Sequence, residues 1–344
     1  MVRGGTGMRV RRLRAGLKGW GGVGAMAVVL LLTAVFVLLP LARAGGTGEA
    51  AGAPGGLAEG TRASARSCED PEKRSLAPSG ADGRTIDAIK KRANPKLVVG
   101  VDQNSYHWGY RDPNSGGGSE LEGFDIDLAR RIAREILGDP DAVVFRAIPT
   151  NERIDAIRSG RVDMVVRTMT ITCDRLKQVA FSAPYFRTGQ QVLAPRTSGI
   201  TGYDGTLAGK RVCSATGSTA LAQLTADRRS GRIPASADIS VTVPNQLDCL
   251  VRLQLGQVDA VVTDGALAAS QAAQDPTVEL KGAPFTTEYY GVAMKKGADD
   301  LVRRVNRVLE DYRDDGWQGS YDTWLSGTLG KDSASSRPPS PAYR

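Results

Sequence analysis

Residues 160–170 read Gly-Arg-Val-Asp-Met-Val-Val-Arg-Thr-Met-Thr, and residues 171–186 continue Ile-Thr-Cys-Asp-Arg-Leu-Lys-Gln-Val-Ala-Phe-Ser-Ala-Pro-Tyr-Phe. Gly160 is a helix stop, and the short apolar run 162–168 has the length and β-branching of a buried strand. Thr168 and Thr170 lie two apart, so extended backbone turns both hydroxyls to one side, and Arg175 follows at the start of a helical turn. Two hydroxyls and a guanidinium fork suit a carboxylate. A threonine-rich edge strand followed by a surface arginine has the same spacing, so this stretch alone leaves both readings open.

Outward from it, short apolar runs alternate with amphipathic helices, the pattern of an α/β fold. Residues 96–101 and 143–148 read as strands. Between them Phe124, Leu128, Ile132 and Ile136 recur every fourth position, which predicts a helix over 124–137 ended by Gly138. With a short helix over 152–159 and the strand over 162–168, this makes one βαβαβ lobe. The pattern then repeats: strand 210–214, helix 218–224, strand 239–243, helix 246–255 and strand 258–263. Gly160-Arg161-Val162-Asp163 and Gly256-Gln257-Val258-Asp259 occupy the same helix-to-strand junction in each lobe. Extended segments at 189–195 and 288–294 carry the chain out and back, so two crossings form a hinge with a cleft between the lobes. The expected divisions are lobe 1 over 96–190 and 290–330 and lobe 2 over 191–289. An ordered extension over 67–95, with a helix near 85–92, precedes them.

The ends differ in kind from this body. Residues 1–18 carry Arg3, Arg9, Arg11, Arg12, Arg14 and Lys18 with no acid, and residues 19–42 have no charged side chain. As a helix, those 24 residues reach ~36 Å, enough for a ~30 Å hydrocarbon core. The basic flank predicts a cytoplasmic N-terminus and places the chain beyond Ala44 outside. Residues 1–44 are therefore expected to be an anchor at the extracytoplasmic face of the cell membrane, or a signal cleaved near Ala44 after the small-x-small site Ala42-Arg43-Ala44. Residues 45–66 and the proline-rich tail 331–344 are too poor in large apolar groups to form a core and read as disordered tether and tail.

Without the basic flank the formal +8 of the chain falls to about +2, so its basicity gives no footing for nucleic-acid binding. The four cysteines lack metal-site spacing and His107 is the sole histidine, which argues against zinc. Outside the membrane the cysteines become candidate disulfide partners, with three pairings open.

Seven motifs in order resemble a known family. They are Gly123-Phe124-Asp125-Ile126-Asp127-Leu128, Gly160-Arg161-Val162-Asp163, Thr168-Met169-Thr170-Ile171-Thr172 with Arg175, and Phe181-Ser182-Ala183-Pro184-Tyr185. Thr216-Gly217-Ser218-Thr219, Val258-Asp259-Ala260-Val261-Val262-Thr263-Asp264 and Tyr290-Gly291-Val292-Ala293 complete the set. The body, over about 96–325, resembles the amino-acid-binding proteins of ABC transporters, solute-binding protein family 3, and is similar to actinobacterial glutamate/aspartate/glutamine-binding lipoproteins. The resemblance implies the two-lobed periplasmic-binding-protein type II fold and a monomer without cofactor. It also implies capture of an L-amino acid, glutamate, aspartate or one of their amides, for an ABC-transporter permease. A membrane sensor protein is the alternative partner.

The resemblance assigns Arg175 to the ligand α-carboxylate, helped by Thr170 and by backbone N–H groups near Ser218 and Thr219. A helix N-terminus there would offer free donors and a positive dipole end, in agreement with the assignment. Asp264 matches the carboxylate that receives the ligand ammonium, with Thr168 beside it; a helix cap is the other use of Asp264. Arg153 aligns with a basic position that grips a distal carboxylate, and Arg167 adds positive charge, so together they favour an acidic ligand. Asp102 matches a position that contacts the ligand amide in glutamine binders and pulls the other way. Trp108 or Tyr106 would line the cleft wall, although Ser105 stands where a cleft aromatic is common. The pairings implied are Cys68–Cys173, behind the carboxylate clamp of Thr168, Thr170 and Arg175, and Cys213–Cys249, within lobe 2. Some proteins of this fold are dehydratases of cyclohexadienyl acids, which need a general acid or base in the cleft. Asp264 is already accounted for as the ammonium anchor, so the expected protein is a binder and not an enzyme.

Overall fold

The computed structural model describes residues 68–112 and 120–344. The expected membrane segment and the tether over 45–66 lie outside the described residues. Among the described residues, no helix is long and apolar enough to cross a membrane.

Two five-stranded sheets carry the body. In the first, Val143–Ala147, Leu97–Val101 and Met164–Val165 run parallel, then Ala293–Met294 and Ala180–Phe181 follow. Ala293–Met294 is antiparallel to both of its neighbours. The second has the same plan: Thr242–Val243, Val212–Ala215 and Ala260–Asp264 parallel, then Gln190–Pro195 and Val278–Lys281. The repeated Gly-x-Val-Asp junction has a physical cause. In each lobe its aspartate takes an N–H at the beginning of a neighbouring strand, Asp163 from Val98 and Asp259 from Arg211, the residue just before its strand. The glycine before it turns the chain in the left-handed region, at φ 77° for Gly160 and 65° for Gly256.

The lobes are joined by Phe186–Thr188 and Glu288–Tyr290, which pair antiparallel as a two-stranded hinge. Gln190 is already in the second sheet, opposite Asp264, so the first crossing lies a few residues before the expected 189–195. Beneath the hinge, Trp108, Phe124, Phe186 and Tyr290 form an edge-to-face cluster, closed by Trp317. Trp108 is wholly buried there and does not face the cleft; its bulk is core, held by the rings around it.

The helix Phe124–Leu137 has the expected bounds, with Gly138 left-handed at its end. The extension is part of lobe 1: Ile86 and Ile89 of helix Arg84–Lys90 join the core that contains Leu301 and Val305. Asp300 accepts the N–H groups of Thr85 and Ile86 and so caps that helix. Residues 331–344 correct the expected disordered tail. Tyr343 bridges to Ser75, the Arg344 N–H donates to the Ser75 carbonyl, and Arg313 donates to the Pro339 carbonyl. Proline-rich backbone is extended, leaving its unused polar groups free to pair with a neighbouring strand.

Both disulfides are present, Cys68–Cys173 and Cys213–Cys249. The first ties the extension to the first residue of helix Cys173–Leu176, the turn that carries Arg175. The second joins a strand of lobe 2 to helix Gln246–Gln254.

Candidate functional site

In both sheets the parallel strands point their carboxyl ends at the cleft, the usual ligand position in open α/β sheets. Asp102 follows Leu97–Val101, Arg167 and Thr168 follow Met164–Val165, Thr216–Thr219 follow Val212–Ala215, and Asp264 ends Ala260–Asp264. Topology alone therefore gathers the candidate residues.

The lobes meet closely. The Thr150 N–H donates to the Pro244 carbonyl at 3.0 Å, and the Thr150 hydroxyl donates to Gln246 at 3.0 Å. At Gly217, φ 74°, a Cβ would stand 2.9 Å from the Asn151 Cα. Only glycine permits that approach.

Arg175 spans the junction, donating to the Thr170 carbonyl at 2.7 Å and, across the cleft, to the Gly217 carbonyl at 3.1 Å. Burial pushes its guanidinium down, and the Glu288 and Asp264 carboxylates push it back up. The helix Thr219–Ser230 starts beside it. Ser218 is its N-cap, accepting from the Leu221 N–H at 3.1 Å, while the first N–H groups have no intrahelical acceptor. An open groove of about 830 Å³ reaches the clamp, lined by Thr170, Arg175, Ser218, Thr219 and Glu288 among others. Asp70, Pro71 and Glu72 of the extension form part of its wall.

Asp264 accepts the Tyr290 hydroxyl at 2.6 Å. Burial raises its carboxyl well above the usual carboxylate range; Glu288 raises it further, while Tyr290, Arg153 and Arg175 act against the rise. A cation brought beside it would restore the ionised form.

Arg167 is fully buried. It pairs with Asp102 at 2.7 Å and donates to the Thr150 hydroxyl at 3.0 Å and the Asn245 side chain at 3.1 Å. Arg153 donates through Nε to the Thr150 carbonyl and through Nη1 to the Arg167 carbonyl. Its guanidinium is pushed well down by burial first and then by Arg175 and Arg167. It stays protonated, as guanidinium does in proteins, and the direction records the cost of gathering three buried cations. Of the positive charge expected from Arg153 and Arg167, Asp102 neutralises that of Arg167, whereas Arg153 keeps its charge while two of its N–H groups are taken by protein carbonyls.

Two carboxylates of the site escape a residue-by-residue reading of the sequence. Asp125, in the first turn of helix Phe124–Leu137, accepts the Thr168 N–H at 2.9 Å and the Tyr185 hydroxyl at 2.7 Å. It holds Thr168 at φ 40°, a left-handed conformation costly for a β-branched residue. Burial raises the Asp125 carboxyl to about 7. Its motif is visible in the sequence; its link to Thr168 is not. Glu288 accepts the hydroxyls of Thr170 and Thr219, one from each lobe, and no local pattern around it signals this. Among the described residues, no His, Cys, Asp and Glu group has the makings of a metal site.

The family model for bacterial extracellular solute-binding proteins, family 3, matches residues 97–327. The chain belongs to this family. Among relatives, the ABC transporter glutamine-binding protein GlnH of Bacillus subtilis is 36% identical over 242 residues, covering 70% of this chain and 84% of that protein. The glutamate-binding protein GluB of Corynebacterium efficiens is 30% identical, covering 74% of this chain and 84% of that protein. The crystal structure of the solute receptors for L-cysteine of Neisseria gonorrhoeae superposes with a TM-score of 0.64 at 26% identity, covering 72% of this chain and 96% of that one. These relatives are binding proteins and not enzymes.

Proposed function

We propose that this family 3 protein captures an L-amino acid between its lobes at the extracytoplasmic face of the membrane and presents it to an ABC-transporter permease. One observation carries the reading: Arg175 and Asp264, a cation and an anion on opposite lobes, lie in the same buried cluster between the strand ends. A carboxylate at Arg175, Thr170 and the first N–H groups of helix Thr219–Ser230, with an ammonium at Asp264, defines an α-amino acid. The ligand enters the open form, the hinge closes, and the second lobe completes the site, so that ligand shifts the population to the closed state.

Within the set of glutamate, aspartate and their amides, glutamine is the ligand the charge balance favours. Asp102 compensates Arg167, so a second ligand carboxylate would meet the single charge of Arg153 with the Asp102 carboxylate close by, whereas an amide can donate to Asp102 and accept from Arg153. The glutamine-binding relative supports the same choice. Titration calorimetry with glutamine, glutamate, asparagine and aspartate tests it. Glutamine should bind in a 1:1 complex at least about 10-fold more tightly than glutamate, a difference of about 1.4 kcal/mol. Tighter binding of glutamate would restore Arg153 and Arg167 as the grip on an acidic side chain.

A further inference from the structure

Glu288 stands where the proposed ligand's carboxylate should stand. It lies on the returning hinge strand Glu288–Tyr290 and is 8% exposed. Its Oε2 accepts the Thr170 hydroxyl at 2.7 Å and the Thr219 hydroxyl at 3.1 Å, and its Oε1 accepts the Gln190 amide at 2.6 Å. Arg175, whose guanidinium the Glu288 carboxylate pushes back up against burial, is the same guanidinium assigned to the ligand. One hydroxyl from each lobe and a buried amide thus converge on a carboxylate the protein supplies itself, in the same groove as Arg175 and the start of helix Thr219–Ser230.

A ligand α-carboxylate would be the same functional group with the same charge in the same few ångströms. Two carboxylates sharing a site repel, and only one can keep its donors. Gln190 offers a place to withdraw to, since it holds the Glu288 Oε1 from the start of strand Gln190–Pro195 and is itself buried.

We propose that Glu288 is a built-in competitor for the ligand-carboxylate subsite: it holds the lobes together when no ligand is bound and must release Thr170 and Thr219 for an amino acid to bind. The proposal rests on the assignment of Thr170, Thr219 and Arg175 to the ligand carboxylate. It has two effects. The empty closed form is stabilised without ligand, and the apparent affinity is reduced by the fraction of molecules in which the subsite is occupied from within. Removing the charge should therefore move the two states in opposite directions, which the loss of a merely structural contact would not do.

The test compares the full chain and its Glu288→Gln, Glu288→Asp and Arg175→Ala variants, using L-glutamine and L-glutamate as probes in calorimetry and thermal melting. Glu288→Gln should lower the dissociation constant of the better probe about 5- to 20-fold, lower the melting temperature without ligand, and enlarge the ligand-induced shift. Glu288→Asp, one methylene too short to reach both threonines, should change in the same directions and serves if the glutamine variant does not fold. Equal or weaker binding by the Glu288 variants, with wild-type binding intact and lost in Arg175→Ala, would overturn the proposal and leave Glu288 as a latch or an ammonium contact. Absence of binding in the wild type would overturn the underlying assignment as well.

Discussion

At the scale of single residues, the site is a balance of buried charges whose members fix one another's protonation. Asp264 shows the consequence most directly. Its carboxyl is raised by burial and by Glu288, so below that raised value it is largely protonated, and a ligand ammonium would lower it again. Binding should then release a proton, and by linkage affinity should rise as pH rises through the raised range and level off above it. Calorimetry of glutamine binding in two buffers of different ionisation enthalpy, between about pH 5.5 and 8, measures this. Asp264→Asn should bind more weakly and lose the dependence; proton uptake on binding would contradict the assignment. Arg153 and Arg167 show the limit of reading single residues. The resemblance marks Arg153 as a candidate site arginine and the neighbouring threonines mark Arg167, but the partner that neutralises Arg167 is Asp102, 65 residues earlier, and only the pairing of their strands brings them together.

At the scale of elements, Gly217 shows how a local turn sets a global approach. It lies just past the strand Val212–Ala215 and precedes the cap of helix Thr219–Ser230, and an added methyl would meet the Asn151 backbone across the cleft. Gly217→Ala should hold the lobes apart. Glutamine affinity should fall at least about 10-fold while the melting temperature without ligand falls by only a few degrees, since each lobe's core is untouched and roughly 1 kcal/mol is at stake in such a strained position. Unchanged affinity would mean that the lobes close by another route. Elements with a strong internal period are legible in the sequence: the helix Phe124–Leu137 comes from four apolar residues at every fourth position, and the paired Gly-x-Val-Asp junctions from identical turn chemistry. The hinge is displaced by a few residues from its expected place because the segment 189–195 is equally suited to a crossing or to a sheet strand. Its pairing with Ala260–Asp264 and Val278–Lys281 decides between them, and no local pattern contains that. The tail departs from its expected disorder for a related reason: composition predicts whether a segment can form a core of its own, not whether another strand waits to pair with it.

At the scale of the whole molecule, two lobes of the same plan are held by two short paired crossings, with an arginine on one side of the cleft bonded to a carbonyl on the other. The extension is fixed to the turn that carries Arg175 by Cys68–Cys173 and to the lobe 1 core by Ile86 and Ile89. On the proposed account, Glu288 and the ligand carboxylate compete for Thr170 and Thr219, and either one bridges the lobes. The measurement that reaches this account most directly is the calorimetric titration of L-glutamine into the wild-type protein and into Arg175→Ala. Saturable 1:1 binding by the wild type, weakened at least about 100-fold in a variant that still melts cooperatively, is the predicted result. Binding by Arg175→Ala as tight as by the wild type would contradict it.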